Sequence, residues 1–188
     1  MMKSELFTRE LELIVDEDLR MAVKTFMEEN VGDWFYTTGA SSTGRYHPKF
    51  SQGEHGLVNH TKAVVMFAEE LLRLSSYAYM RAEYKDYVIA ACILHDTRKY
   101  GGMEYDKSCY KNHGHIAASD FADWCYEVYD FIPSEYLLNA IRSHMGQWTE
   151  DKDERPFTNI DRCVHLADYI ASRNFIDIPS LHTTEGEE

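Results

Sequence analysis

What this chain has little of narrows its function before any motif is read. Lysine and arginine total 19 against 32 aspartates and glutamates, a formal charge of −13 with neutral histidine. A surface so short of cations repels DNA and anionic lipid over long range, and any phosphate-bearing ligand then needs a local positive feature. Long apolar runs are missing too: the longest, Tyr87 to Leu94, falls far short of the roughly 20 residues a membrane helix needs. The opening Met1-Met2-Lys3-Ser4-Glu5 enters a charged pattern with no apolar stretch of signal-peptide length, so the expectation is a soluble cytoplasmic protein with no membrane partner. There are 4 cysteines and no CxxC pair, which sets aside a disulfide framework or zinc knuckle and leaves Cys92 and Cys163 as reduced thiols packed in helices. Period-two alternation, internal repeats and low-complexity tracts are absent as well.

What remains reads as helix. At 188 residues, with 44% hydrophobic and 27% charged residues, the chain can build one ordinary core. Leu6, Leu13, Ile14, Leu19, Val23, Phe26 and Met27 recur at three- and four-residue steps and predict one broken or two short helices over 5–29, part of an N-terminal helical cover spanning 1–36. Between Thr37 and Gly56 the composition turns to Gly, Ser, Thr and Pro, a long loop of the functional kind. Further helices are predicted over 57–74, 83–95, 113–128, from Pro133 to near His144, and from about Ile160 to Arg173. The fold class is therefore all-α: a single compact helical bundle over 37–176, with 177–188 a flexible tail.

Polar residues interrupt the apolar stripes at telling places. His60 precedes Val64 by four residues; His144 follows Ala140 by four; Asp168 follows Val164 by four; His95 closes its helix with Asp96 beside it. Helical phase turns each inward. One histidine on an apolar face is commonly a hydrogen-bonded core residue, but a buried carboxylate costs several kcal/mol unless paired. A cation shared among the set removes that cost, and imidazoles with carboxylates suit Mn, Fe, Co, Ni or Zn.

These residues resemble the HD-domain metal-dependent phosphohydrolase superfamily, whose signature is a distant His, an adjacent His-Asp pair and a distant Asp. Gly56-Leu57-Val58-Asn59-His60-Thr61 is similar to the element opening its first core helix. Leu94-His95-Asp96-Thr97-Arg98-Lys99 is similar to its Leu-His-Asp-x-Gly-Lys element, with Arg98 in place of Gly, and His165-Leu166-Ala167-Asp168 fits its final Asp motif. His113-Gly114-His115-Ile116-Ala117-Ala118 and Ile141-Arg142-Ser143-His144-Met145-Gly146 resemble the two added histidine elements of members with two metals. His115 competes with His113, which Ala117 and Ala118 favour.

The resemblance implies two divalent ions, one held by His60, His95, Asp96 and Asp168, the other by His113, His144 and a bridging Asp96. Four neutral imidazoles and two carboxylates supply about −2 against about +4, a surplus that attracts a phosphoryl group and lowers the pKa of bound water. The implied activity is phosphoester hydrolysis of a nucleotide or short nucleic acid by a metal-bound hydroxide, with Asp96 and Lys99 as catalytic residues. Lys99, on a helical continuation four residues after His95, together with Arg45 and His47 from the long loop, would bind the substrate. Tyr46 shares that loop. Arg98 and His55 stand where they would reshape the entrance. A diiron oxygenase of the same fold and a non-catalytic, metal-stabilised nucleotide-binding domain are the alternatives. The 13 tyrosines show no interleaving with basic residues of the sort that lines a nucleic-acid groove.

Overall fold

The computed structural model describes residues 2–41, 47–149 and 151–181, and among these there are helices and turns and no strands. Two short helices, α1 (Thr8–Glu12) and α2 (Glu17–Glu29), are followed by α3 (Asp33–Thr37). The bundle proper comprises α4 (Gly56–Arg73), α5 (Ala82–Leu94), α6 (His113–Tyr129), α7 (Glu135–Ser143) and α8 (Asn159–Ala171). No described helix is long and apolar enough to cross a membrane.

Local chemistry sets several of these boundaries. Asp16 caps α2 by accepting the Leu19 N–H at 3.0 Å. Ser134 caps α7 directly after Pro133, and Thr158 with Asp161 forms a reciprocal capping box at α8. Helix α5 is buried continuously from Val88 to Leu94, which its unbroken apolar sequence requires: it is the central helix, packed on α4, α7 and α8. Helix α4 also packs on α8, and α6 lies against α7. The N-terminal segment closes the bundle through α2, which contacts α5 and α6. Phe26 meets Phe121 edge-on, centroids 5.3 Å apart.

A buried carboxylate fastens this cover. Asp86 on α5 accepts the backbone N–H groups of Val15 at 3.1 Å and Asp16 at 2.8 Å, so the link between α1 and α2 is held by a side chain some seventy residues away. The long loop is partly ordered by a 3-10 turn, Lys49–Ser51; Arg45 and Tyr46 lie outside the described residues. Within the segment expected as a flexible tail, Ile178 is buried and Pro179–Leu181 form a further 3-10 turn. Residues 182–188 lie outside the described part.

Candidate metal centre

The ends of α5, α6 and α7 and the middle of α4 and α8 meet at one point. His60 comes from α4, Asp168 from α8, and His113 opens α6. His95 and His144 are the residues that terminate α5 and α7. Among the described residues, two groups of metal-ligating side chains stand out: His60, His95 and Asp168, and Asp96, His113 and His144, each with its donor atoms within 4.8 Å of one another. The six positions expected as ligands are thus brought together. His115 is not: it is exposed and its Nδ1 pairs with Glu154 at 2.7 Å.

Asp96 stands between the groups with one oxygen toward each. Its Oδ2 lies 3.4 Å from His95 Nε2 and 3.7 Å from His60 Nε2, while Oδ1 lies 3.0 Å from His113 Nε2 and 3.7 Å from His144 Nε2. Asp168 Oδ1 is 3.1 Å from His60 Nε2.

Whether this set suits a cation is decided by where its protons sit. The Nδ1 atoms of His95, His113 and His144 lie 2.8, 2.6 and 2.8 Å from the carbonyl oxygens of Cys92, Tyr110 and Ile141. A carbonyl only accepts, so each Nδ1 carries its proton and, in the neutral ring, the Nε2 lone pair points inward, the orientation usual for metal-bound imidazoles. Those inward nitrogens crowd each other: His113 and His144 Nε2 are 3.0 Å apart, His60 and His95 Nε2 3.4 Å. Facing lone pairs repel unless a proton or cation lies between them. His60 Nδ1, buried, has no hydrogen-bond partner among the described residues. A divalent transition ion fits this donor set. A packed core does not call for it.

The protein's own charges divide the imidazoles. Burial lowers His60; burial and repulsion from His113 and His95 push His144 down to about 3. Burial opposes protonation of His95 and His113 as well, but Asp96 outweighs it, holding His95 above its usual range and His113 at about 9. Burial would raise Asp96, yet Lys99 and His95 drive it well below the carboxylate range. The same contest keeps Asp168 low, through its bond to His60.

The approach of α6 to α7 depends on Gly114. A Cβ there would meet Ile141 O at 2.7 Å and His144 Nδ1 at 2.9 Å, so glycine lets His113 come to His144.

A cavity of about 280 Å³ opens on the cluster. Asp96, His113 and Asp168 reach its surface with Lys99 and His47; His60, His95 and His144 are buried behind. Lys99 Nζ donates to Asp96 Oδ2 at 2.6 Å, and this pairing, stronger than burial, raises its pKa. It does so from a turn, because α5 stops at Leu94 and 95–100 run as successive turns rather than as a helical continuation. His47 stacks edge-on over His60 at 5.6 Å.

Two expected entrance residues do something else. Arg98 is buried and turned away from the cavity: Nε meets Asp120 at 2.5 Å, Nη2 meets Asn30 Oδ1 at 3.1 Å, and the guanidinium lies 5.1 Å over Phe26. It bolts the His95–Asp96 turn to α2 and α6. His55 adopts φ 59° at the start of α4, its Nδ1 2.5 Å from Tyr36 O, and neither residue lines the cavity. What the sequence reading missed is the wall made by Trp148, His165, Tyr169 and Arg173. The four-residue spacing of the last three was a usable signal.

An all-helical bundle carrying paired His/Asp clusters at its helix ends defines a metal-binding helical domain. Residues 57–173 match the HD domain family model, and the chain belongs to that family. No curated protein and no solved structure matches it.

Proposed function

We propose that the chain is a metal-dependent phosphohydrolase that cleaves the phosphoester of a small nucleotide or short nucleic acid. In this reading His60, His95, Asp96 and Asp168 hold one divalent ion, and Asp96, His113 and His144 hold another. The observation that carries it is the Asp96 carboxylate, which offers one oxygen to each imidazole group at the edge of a cavity large enough for a small phosphoester. Divalent ions held there supply Lewis acidity toward phosphoryl oxygens and lower the pKa of a coordinated water.

The chain's own groups do the rest. Lys99 spends one of its three N–H donors on Asp96 and has the others for a phosphoryl oxygen, where a point charge stabilises charge gathering on phosphorus. His47 lines the same cavity, and its neutral ring has one N–H that would serve as a second donor. The backbone carbonyls behind His95, His113 and His144 fix each ring so that no reorganisation is needed when substrate arrives. A cytoplasmic setting belongs to the same reading, in keeping with three buried free thiols.

Protein loaded with Mn²⁺ and offered nucleoside mono- and triphosphates, cyclic dinucleotides and short RNA is expected to release product from at least one class. His60→Ala and Asp168→Ala are expected to abolish turnover and to lower metal retention by about half, since Asp96, His113 and His144 remain to hold the other ion. No turnover of any of these by protein that retains its metal overturns the proposal.

A further inference from the structure

Beside the cluster, the cavity is walled by stacked rings. Trp148 and Tyr169 lie 13° from parallel with centroids 5.9 Å apart, and the Arg173 guanidinium lies 4.4 Å over the Tyr169 ring. The His165 ring stands 6.4 Å from Trp148 and 6.2 Å from Tyr169. Residues 165, 169 and 173 share one side of α8 and its end, directly beside Asp168 of the cluster.

This wall is built in place. His165 Nδ1 donates to the carbonyl oxygen of His144 at 2.8 Å, tying it to the backbone of a cluster histidine. Gly146 carries the turn that brings Trp148 across His165, with φ +59° and no room for a Cβ, which would lie 2.1 Å from His165 Cε1. Yet Trp148, held this firmly, leaves 50% of its surface exposed. A large apolar ring fixed in the wall of the cavity and left half open offers a π-face to a planar ring. The 5.9 Å spacing leaves no slot between Trp148 and Tyr169, so a ligand ring lies on the free face of Trp148, with Tyr169 and Arg173 backing it.

We infer that Trp148, Tyr169 and Arg173 form a stacking platform that selects phosphoesters whose leaving group carries a planar ring. The inference rests on the phosphohydrolase reading for the other end of the cavity, where Lys99, His47 and the carboxylates take the phosphoryl group. The cavity volume of about 280 Å³ sits at the small end of ligand pockets, roughly 300–1,000 Å³. It holds one nucleoside-sized unit, so the expected substrate is a monophosphate ester, with nucleobase and simple aryl rings as the two sources of the planar group.

The test compares Mn²⁺-loaded parent, Trp148→Ala and Trp148→Phe on AMP and UMP, on 4-nitrophenyl phosphate, and on ring-free ribose 5-phosphate and glycerol phosphate. The parent is expected to prefer the ring-bearing esters. In Trp148→Ala, KM for those esters rises by about tenfold or more while kcat, metal content and the ring-free esters stay unchanged; Trp148→Phe restores most of the loss. Adenosine is expected to quench the parent's tryptophan fluorescence and not that of Trp148→Ala, because Trp34 is buried and Trp124 half-buried. A preference for AMP and UMP over 4-nitrophenyl phosphate identifies the ring as a nucleobase, and equal use of the three identifies any planar ring. Ring-free esters turned over as well as ring-bearing ones, or a Trp148→Ala loss equal on both, overturns the platform and leaves the phosphohydrolase standing. Quenching by adenosine without hydrolysis of any ester supports the platform, and where nucleoside triphosphates, cyclic dinucleotides and short RNA also fail, it is the phosphohydrolase that is overturned instead.

Discussion

Replacing Gly146 by alanine tests how the cavity wall is fastened. Two costs are legible. Gly146 sits at φ +59°, and placing an L-residue in the left-handed region costs roughly 1–2 kcal/mol. The new Cβ would also lie 2.1 Å from His165 Cε1 and 2.4 Å from both ring nitrogens. That contact cannot persist, so the imidazole must swing away and surrender its bond to His144 O, worth about 0.5–1.5 kcal/mol. Together the loss is about 1.5–3.5 kcal/mol by these two principles, a fall in Tm on the order of 10 °C at most for a chain of this length.

Gly53 provides the control, since its φ is +67° but nothing lies within 4 Å of its Cβ position. Gly53→Ala should show the strain alone. At Gly102 the φ is not positive and the space is open, so Gly102→Ala should be neutral or stabilising by roughly 0.4–1 kcal/mol. Urea unfolding of the three variants ranks them, and adding His165→Ala to Gly146→Ala should cost less than the two separately. If Gly146→Ala proves no worse than Gly53→Ala and shows no coupling to residue 165, the imidazole does not lie beneath the turn and the anchoring argument fails.

Asp86→Ala should destabilise by about 3 kcal/mol, because two buried N–H groups lose a charged acceptor; an unchanged urea midpoint would contradict this, and metal content should not move. Among the four thiols, Cys109 is exposed while burial pushes Cys125 and Cys163 up to about 12 and Cys92 well above its usual range, so an aromatic disulfide reagent at pH 8 should titrate one thiol in native protein and four after denaturation. Burial acts to raise the Glu28 carboxyl, but the Ser4 N–H at 2.8 Å outweighs it and holds the pKa below 4.5. The folded state therefore gains from ionised Glu28 above pH 4.5 and loses that gain as pH falls through the lowered value. Hydrogen exchange should show the N-terminal turn opening first on acidification, and Glu28→Gln should remove that pH dependence. Mn²⁺ at 100 times its Kd should stabilise the parent by about 2.7 kcal/mol per site, with a smaller effect on His60→Ala or Asp168→Ala, which keep Asp96, His113 and His144; a parent whose Tm ignores both Mn²⁺ and chelator would refute the ligand assignment.

Most of the helical frame could be read from periodicity because the apolar stripes agree with the burial they produce: α4 and α8 bury the residues their phase selects. The cluster was legible for a related reason. Imidazoles and carboxylates on an apolar face are costly, so their placement carries information that a surface histidine does not. Arg98 was misread because its motif position pointed at the entrance, whereas its partners Asn30 and Asp120 stand 68 and 22 residues away, a pairing that only the packing of α2 and α6 decides. Lys99 was placed at the site through the wrong element: the helix ends beside His95 as its pattern implied, but residues 95–100 go on as successive turns and not as the helical continuation assumed for Lys99. Trp148 was invisible because it hangs from an irregular turn, where no period tells inside from outside.

The acidic surface and the phosphate reading are reconciled by how the cluster distributes its charge. Lys99 is already paired with Asp96 and the imidazoles face Asp96 and Asp168, so the protein's own groups leave the cavity little net charge and give a polyanion little reason to approach a chain of charge −13. In the two-ion reading, divalent ions among the inward Nε2 atoms would displace any protons held there and bring about four positive charges against two carboxylates, confined to the cavity where the local dielectric is low. Attraction for phosphate then exists at one point and over a short range, because the surrounding carboxylates screen it beyond about a Debye length. Such a field suits a ligand with one phosphoryl group and an uncharged remainder. It disfavours a strand, whose neighbouring phosphates would face a chain of net charge −13, and the half-open ring of Trp148 is where an uncharged remainder would rest.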